Sequence, residues 1–323
     1  MLRVLLLLLG QYYLVITCEA FVVSHQGTSK SSALSMAGAS AKDLDVTVIG
    51  GTGFVGSRVC KLLVEKGAKV TSVSTSGTVP KWAADDSWVN DVTWKATNLL
   101  TATPKELDAS LGKPKAVISC VGAIGTDPDE LLAGNGEANG NAFASAKRVK
   151  ASSVAYVSVS PEVAACKDGW LPDFFGSYFE GKEMAEKAAK DVCSDVTIVC
   201  PSFIYGGDSF GLTPPRVNTA YGALIDQLLS FGLIQTVADV APGLIKVALR
   251  PPVAVESVAG ACVAGILSEE SGVTVLDTSS AINEASGQAA STGLDDAIAW
   301  SLQTAGEIGD WIRAQTRNQA YKP

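Results

Sequence analysis

The sequence predicts an α/β protein: a doubly wound parallel sheet with helices on both faces, carrying a small, mostly helical substrate lobe. Three observations lead there. Residues 45–75, "DVTVIGGTGFVGSRVCKLLVEKGAKVTSVST", read strand, glycine turn, helix, strand. Val46, Val48 and Ile49 form a short β-branched run, the pattern of a strand covered on both faces. The 323 residues are 47% apolar, enough for a large core with an attached lobe.

Composition excludes several function classes. The net charge is -8 and no basic cluster occurs, which argues against a nucleic-acid partner. The single histidine, His25, falls in a predicted leader. Without histidine the folded part cannot run Ser-His-Asp or Cys-His chemistry, and it lacks the commonest transition-metal ligand, so no metal site is predicted. The seven cysteines include no CxxC and read as small buried hydrophobes in a reducing compartment. Proton transfer falls to Tyr, Lys, Asp, Glu or Cys.

From the N-terminus, residues 1–20, "MLRVLLLLLGQYYLVITCEA", have a short positive start, an apolar centre and small residues before a cleavage point. They predict a secretory signal peptide, since the apolar run is too short to span a bilayer. Residues 21–42 are rich in Ser and Ala, contain two lysines and no acid, and have transit-peptide composition. A signal peptide followed by a transit peptide starting at Phe21 resembles the bipartite leader of algae with complex plastids. That resemblance implies a plastid location, in the stroma or at the thylakoid surface. Secretion is the alternative.

Residues 43–207 form the predicted dinucleotide-binding domain. Gly50, Gly53 and Gly56 supply GxxGxxG between a strand and a helix predicted over 57–66, with Thr52, Phe54 and Val55 completing the loop. The first glycine permits a tight turn, the second lets backbone approach a pyrophosphate, and the third lets helix and strand pack closely. The helix N-terminus then faces the phosphate charge. Gly67 ends the helix and residues 69–74 form the second strand.

With these residues quoted, the chain resembles the short-chain dehydrogenase/reductase superfamily, Rossmann proteins, in its extended and atypical branches. "AVISCVGAIG" (116–125) resembles the family's fourth strand, whose end, at Val121, Gly122 and Ala123, borders the nicotinamide ribose. "GNGEANGNAFASAK" (134–147) resembles the following helix, with Asn135 and Asn141 matching its two asparagines. "AYVSVS" (155–160) resembles the fifth strand, which ends in a catalytic serine. "YFEGK" matches YxxxK. In "PSFIYG" (201–206), Pro201, Phe203 and Ile204 resemble the loop over the nicotinamide, and residues 251–278 the return segment of the domain. Within the superfamily the likeness is to a plastid and mitochondrial group that includes the Rossmann-fold accessory subunit of respiratory complex I. The group implies a fold and a cofactor, not a substrate.

Cofactor choice rests on the end of the second strand, which reads Ser74, Thr75, Ser76. Related plastid proteins carry Arg where Thr75 stands, and losing such a contact to a 2′-phosphate forfeits roughly 1.5–3 kcal/mol. No acid is present to favour NAD. The hydroxyls, with Lys81, point to NADP, with NAD as the alternative. Asn98 stands where the family often has an Asp contacting adenine, and Cys200 where it often has Arg.

Tyr178 and Lys182 lie four apart on one helix face. In the family the tyrosine hydroxyl exchanges a proton with the substrate oxygen. A neighbouring ammonium is expected to pull its pKa down from near 10. The resemblance implies that Lys182 also binds the nicotinamide ribose. Ser160 is the predicted substrate-orienting serine, with Ser158 as the alternative.

Residues 208–250 form the predicted lobe, apolar at helical spacing (Leu224, Leu228, Phe231, Ile234) and nearly free of charge. This suggests an apolar substrate, or a surface for a membrane or partner. Residues 279–292 read as a linker and 294–312 as a terminal helix. The reading is an NAD(P)-dependent oxidoreductase acting on a carbonyl of an apolar plastid metabolite. The alternatives are a cofactor-binding structural or assembly protein of a plastid membrane complex, and an epimerase or isomerase with tightly bound NAD.

Overall fold

Strand β1 (Asp45–Ile49) sits at the centre of a seven-stranded parallel sheet. The computed structural model describes residues 41–167, 175–207, 211–212, 215–216, 225–226, 229–230 and 232–287. The chain runs from β1 into α1 (Phe54–Glu65), β2 (Lys69–Ser74), β3 (Val92–Ala96), α2 (Pro104–Leu111) and β4 (Ala116–Ser119). Then come α3 (Pro128–Leu132), a π turn (Ala133–Glu137), α4 (Ala138–Arg148) and β5 (Ser153–Val157). A four-residue α5 (Pro161–Ala164), α6 (Phe175–Lys190), β6 (Asp195–Val199) and β7 (Ile204–Tyr205) follow. The lobe contributes β8 (Gly211–Leu212), β9 (Pro215–Arg216), α7 (Gly232–Val240) and α8 (Gly243–Ala248). The return is β10 (Val253–Ala254), α9 (Val255–Leu267), β11 (Val273–Leu276) and α10 (Ser279–Ser286).

The strand order is β11-β6-β5-β4-β1-β2-β3. After β1 the chain builds outward through β2 and β3, then crosses to β4 on the other side. The crevice between the ends of β1 and β4 is therefore the switch point where doubly wound sheets hold ligands. Both faces are covered, as the β-branched strands predict. Val46 and Val48 pack with α1 and α9 in one buried cluster. Ile49 points the other way, into a cluster with Phe143, Tyr156 and Ile198 beneath α4 and α6. Burying such side chains contributes about 1.5–3 kcal/mol each.

Three differences from the sequence reading have local causes. Helix α1 begins at Phe54, three residues before the expected start, because the turn is complete once the Gly53 N–H reaches Gly50 O at 2.9 Å. Strand β5 ends at Val157, so Ser158 and Ser160 lie beyond it. Their amides still reach Val199 O (2.8 Å) and Pro201 O (3.0 Å), which prolongs the pairing as single bonds. The stretch expected as a linker from 279 onward is helix α10 as far as Ser286. Thr278 Oγ1 caps it by accepting from Ala281 N at 3.1 Å, Ile282 is buried, and Gly287 closes it at φ 74°. The predicted leader, Leu224, Leu228 and Phe231 of the lobe, and the terminal helix over 294–312 lie outside the described residues. Among the described residues no helix is long and apolar enough to cross a membrane.

Candidate cofactor and active site

The glycine turn at the end of β1 has the shape of a phosphate cradle. Gly50 sits at φ 80°, a conformation other residues rarely adopt. A Cβ on Gly56 would lie 2.2 Å from Gly50 O, so only glycine lets α1 start this close to the strand. A Cβ on Gly53 would meet only Gly50 O, at 3.1 Å, which leaves its outer face open to a ligand. The sequence reading missed Gly51, whose Cβ would stand 2.4 Å from Ser72 Oγ and 2.9 Å from Cys60 Sγ. The first turn of α1 has neither a side-chain cap nor an acid. A 12-residue helix so disposed offers backbone N–H groups and its dipole to an anion. These features fit the pyrophosphate of a dinucleotide.

Beyond β2, Ser74 is committed to the protein itself. Its Oγ lies 2.9 Å from Thr52 Oγ1 and accepts from Gly77 N at 3.1 Å, while Thr52 Oγ1 donates to Thr78 O at 2.7 Å. Ser74 and Thr52 thus tie the glycine loop to the next turn, whereas Thr75 and Ser76 are exposed, with Ser76 Oγ 3.0 Å from the Thr78 hydroxyl. Asn98 is exposed and its Oδ1 accepts from Leu100 N at 3.0 Å, so the oxygen expected at the adenine amine already caps a turn. Lys81 is exposed at the start of a short 3-10 turn. Arg58, not singled out by sequence, stacks its guanidinium 4.1 Å from the Trp82 ring and 5.1 Å from Phe54. The i, i+4 pairing of Phe54 and Arg58 on α1 was the available signal.

Two buried asparagines set the loop after β4. Asn135 Oδ1 accepts from Ala123 N (3.2 Å) and its Nδ2 donates to Ala123 O and Leu131 O (both 2.9 Å). Asn139 Nδ2 donates to Asn135 O (2.8 Å) and Val121 O (3.3 Å), and Ser119 Oγ donates to its Oδ1 (2.6 Å). Val121, Gly122 and Ala123 are therefore held from both sides. Asn141, the second asparagine matched in the sequence, is exposed and donates to Leu99 O at 2.9 Å. Asn139, four residues from Asn135, shares its face.

Helix α6 is pressed onto this assembly at a glycine contact. A Cβ on Gly181 would lie 2.9 Å from both Gly136 N and Asn135 Cβ. The next residue, Lys182, is buried at 6% exposure and donates from Nζ to Val157 O at 3.1 Å. A Cβ on Gly122 would come 3.3 Å from that Nζ. The ammonium also lies 5.2 Å from the Tyr156 ring centroid and 5.8 Å from that of Tyr178. Tyr178 packs edge-on against Phe179 (5.2 Å) and Phe175 (6.3 Å).

The electrostatics run opposite to the sequence expectation. Burial pushes the Tyr178 hydroxyl up to about 12, and burial pulls Lys182 down to about 8. Desolvation is the cause for Tyr178 and the leading cause for Lys182. Cys120 and Cys200 are pushed up to about 12 by burial, so neither thiol supplies a negative charge to Lys182 near neutral pH.

The two candidate serines have different partners. Ser158 Oγ donates to Glu186 Oε1 at 2.6 Å, which commits its proton. Ser160 Oγ accepts from Glu162 N at 3.3 Å, leaving its own proton for another acceptor. Pro201 adjoins Ser160 through its carbonyl, Phe203 is half exposed, and Ile204 opens β7. Nothing in the structure explains Cys200 in place of an arginine.

Comparison with known proteins agrees with this geometry. A sequence model of the NAD dependent epimerase/dehydratase family matches residues 46–228. An uncharacterized chloroplastic protein of Arabidopsis thaliana is 36% identical over 172 residues, covering 52% of this chain and 53% of that protein, so the chain spans about half the length of this relative. Among solved structures, a UDP-N-acetylglucosamine 4-epimerase from Methanobrevibacter ruminantium superposes with a TM-score of 0.50 at 17% identity, over 73% of this chain and 76% of that one. A UDP-glucuronic acid 4-epimerase from Bacillus cereus in complex with NAD gives 0.48 at 16% identity, over 76% and 85%. At 17% identity the first of these superpositions speaks to fold alone. With the family pattern running from β1 into the lobe, over a sheet with its glycine cradle at the switch point, the chain belongs to the NAD dependent epimerase/dehydratase family.

Proposed function

We propose that the chain is an NAD(P)-dependent oxidoreductase acting on a carbonyl or similar group of an apolar metabolite. The observation that carries this reading is the seat of Lys182. It is a buried ammonium held on Val157 O beside Gly122, one helical turn from Tyr178, at the ligand crevice of the sheet. When bound, the nicotinamide supplies the two-electron redox chemistry. The glycine cradle and the start of α1 hold the pyrophosphate, and Lys182 holds ribose hydroxyls. Tyr178 gives or takes the proton at the substrate oxygen. Ser160 donates a hydrogen bond to that oxygen, which its accepted bond from Glu162 N leaves it able to do.

NADP is the proposed cofactor, supported by the exposed Thr75 and Ser76 and the lack of an acid at the end of β2, with NAD as the alternative. The apolar substrate class is supported by the sequences of α7 and α8, GLIQTVADV and GLIKVA, where a sugar nucleotide calls for polar contacts. A plastid location is supported by the composition of residues 1–42 and by the chloroplastic relative.

Titration with NADPH and NADH, followed by tryptophan quenching, tests the cofactor. Turnover over a panel of quinones and apolar carbonyls tests the reaction. Tyr178→Phe should keep cofactor affinity within about twofold and lose about 100-fold or more in kcat, the range for a positioned acid. Unchanged turnover in that variant would remove Tyr178 from the proposed role.

A second reading, a cofactor-holding structural or assembly protein, is favoured by one observation: burial pushes the Tyr178 hydroxyl up to about 12. It predicts tightly held, unreactive NADPH and a Tyr178→Phe variant indistinguishable from the parent.

A further inference from the structure

One guanidinium gathers the described part of the lobe. Arg250, just past α8, donates from Nε to Glu162 Oε2 (2.8 Å) and from Nη2 to Glu162 Oε1 (2.7 Å) and Asp239 Oδ1 (2.9 Å). Its Nη1 donates to Gln235 Oε1 at 2.8 Å. Gln235 Nε2 in turn donates to Leu249 O at 3.0 Å and to Leu229 O. Lys246 Nζ lies 3.3 Å from Glu162 Oε1. Gln235 and Asp239 belong to α7 and Lys246 to α8, so both helices and Arg250 form one polar assembly. Among the described residues, every ion pair this assembly makes with the dinucleotide domain ends on Glu162.

Glu162 stands in an unusual place for such an anchor. It is the second residue of α5, and its backbone N–H donates to Ser160 Oγ. No residue of α5 is buried, so hydrophobic packing of its own does not fix the helix. Cys166 just beyond it is buried, and its Sγ donates to Glu162 O at 3.3 Å. The carboxylate that takes the lobe's bidentate pair and the amide that orients the Ser160 hydroxyl therefore belong to one residue. The carboxylate side chain is 31% exposed and that of Arg250 22%. The fork geometry, closed by Asp239 and Gln235, makes this pair more rigid than a single exposed contact.

We infer that Glu162 is a positioning residue, coupling the seating of the lobe to the orientation of the Ser160 hydroxyl through its pair with Arg250. The role given to Ser160 rests on the function proposed above. The mechanical coupling of lobe and α5 does not.

The full chain tests both parts. The variants are Glu162→Gln and Arg250→Lys, which keeps charge but not the fork. Hydrogen exchange is followed at residues 160–166 and 232–250. Charge-assisted bonds contribute roughly 1.5–3 kcal/mol, so each single variant should exchange about 10- to 100-fold faster in both segments together. NADPH affinity should stay within about twofold, and with a turned-over substrate the loss should fall on kcat more than on KM. Faster exchange at 232–250 with 160–166 protected as in the parent would overturn the coupling. So would no change in either segment for Arg250→Lys. If the parent turns over no substrate at all, the oxidoreductase reading fails, and the exchange measurements still decide the coupling.

Discussion

Replacing Lys182 with methionine should stabilise the cofactor-free protein at neutral pH while removing its proposed activity. Lys182 is buried and its pKa is pulled from 10.5 to about 8 by desolvation. A depressed lysine pKa means the unfolded chain keeps the proton more readily than the folded one. Between about pH 8 and 10.5 the unfolded state therefore binds more protons, and folding stability rises with pH through that window. Below it the fold bears the whole cost of burying an ammonium, which this difference places at about 3 kcal/mol. Methionine has similar length and no charge. It forfeits the bond to Val157 O, about 1 kcal/mol, leaving a net gain of about 2 kcal/mol at pH 7. Paired urea unfolding curves of parent and variant at pH 7 and pH 10 measure this directly. Tyr178, raised to about 12, makes stability fall as pH climbs through its ordinary 10 toward 12. That loss is common to both proteins and cancels in the comparison. The variant's advantage should shrink toward zero, or reverse by about 1 kcal/mol, at pH 10. A variant less stable than the parent at pH 7, or a difference independent of pH, would refute the buried-cation argument.

Gly56→Ala should destabilise the fold by about 1–3 kcal/mol and abolish NADPH binding, because its Cβ meets Gly50 O at 2.2 Å; Gly53→Ala, with 3.1 Å to the same atom, should fold normally and bind more weakly, as thermal melts and cofactor titration will show. Tyr156→Phe removes a buried hydroxyl that has no hydrogen-bond partner, keeps the ring beside Lys182, and should raise stability by about 1 kcal/mol in denaturant unfolding. Asn139→Ala should cost about 2–3 kcal/mol and weaken cofactor affinity, whereas Asn141→Ala should cost about 1 kcal/mol or less and leave affinity alone, by the same two measurements.

The parts of the fold legible in the sequence were those encoded locally. The glycine spacing and the β-branched runs specify a strand, a turn and a covered sheet with no long-range information, and β1, β2 and the cradle follow. What sequence spacing could not show was phase and environment. The π turn at Ala133–Glu137 inserts into the helix that carries the asparagines. Across it Asn135 and Asn139 share a face, while Asn141, six residues on from Asn135, bonds Leu99 O instead. Ser/Ala-rich α10 read as a linker because its composition is polar. Its Thr278 cap, Ile282 and Gly287 terminus are a complete set of helix signals. The direction of the Tyr178 shift depends on how deeply α6 sinks at Gly181. That depth is set by a contact with Gly136, 45 residues away in the chain and silent in either local sequence.

The cost of burying Lys182 is itself an argument about function. Three buried side-chain oxygens among the described residues lack a hydrogen-bond partner: Ser72 Oγ, Tyr156 OH and Ser202 Oγ. Ser72 lies under the glycine turn beside Gly51, Tyr156 presents its ring to Lys182, and Ser202 stands in the loop between Pro201 and Phe203. Each leaves about 1–3 kcal/mol unrecovered, and the Lys182 ammonium adds a comparable cost. Ser72 faces the α1 side of the sheet and Tyr156 the α4 and α6 side, so only the Tyr156 ring and the Lys182 ammonium share one place, and a buried charge tolerated at the ligand crevice marks a site shaped for a ligand. A polyanionic dinucleotide with ribose hydroxyls offers Lys182 the partners that the protein withholds. Saturating NADPH should therefore raise the melting temperature of the parent by more than that of Lys182→Met. Equal shifts would mean that the buried cation serves the fold and not the cofactor.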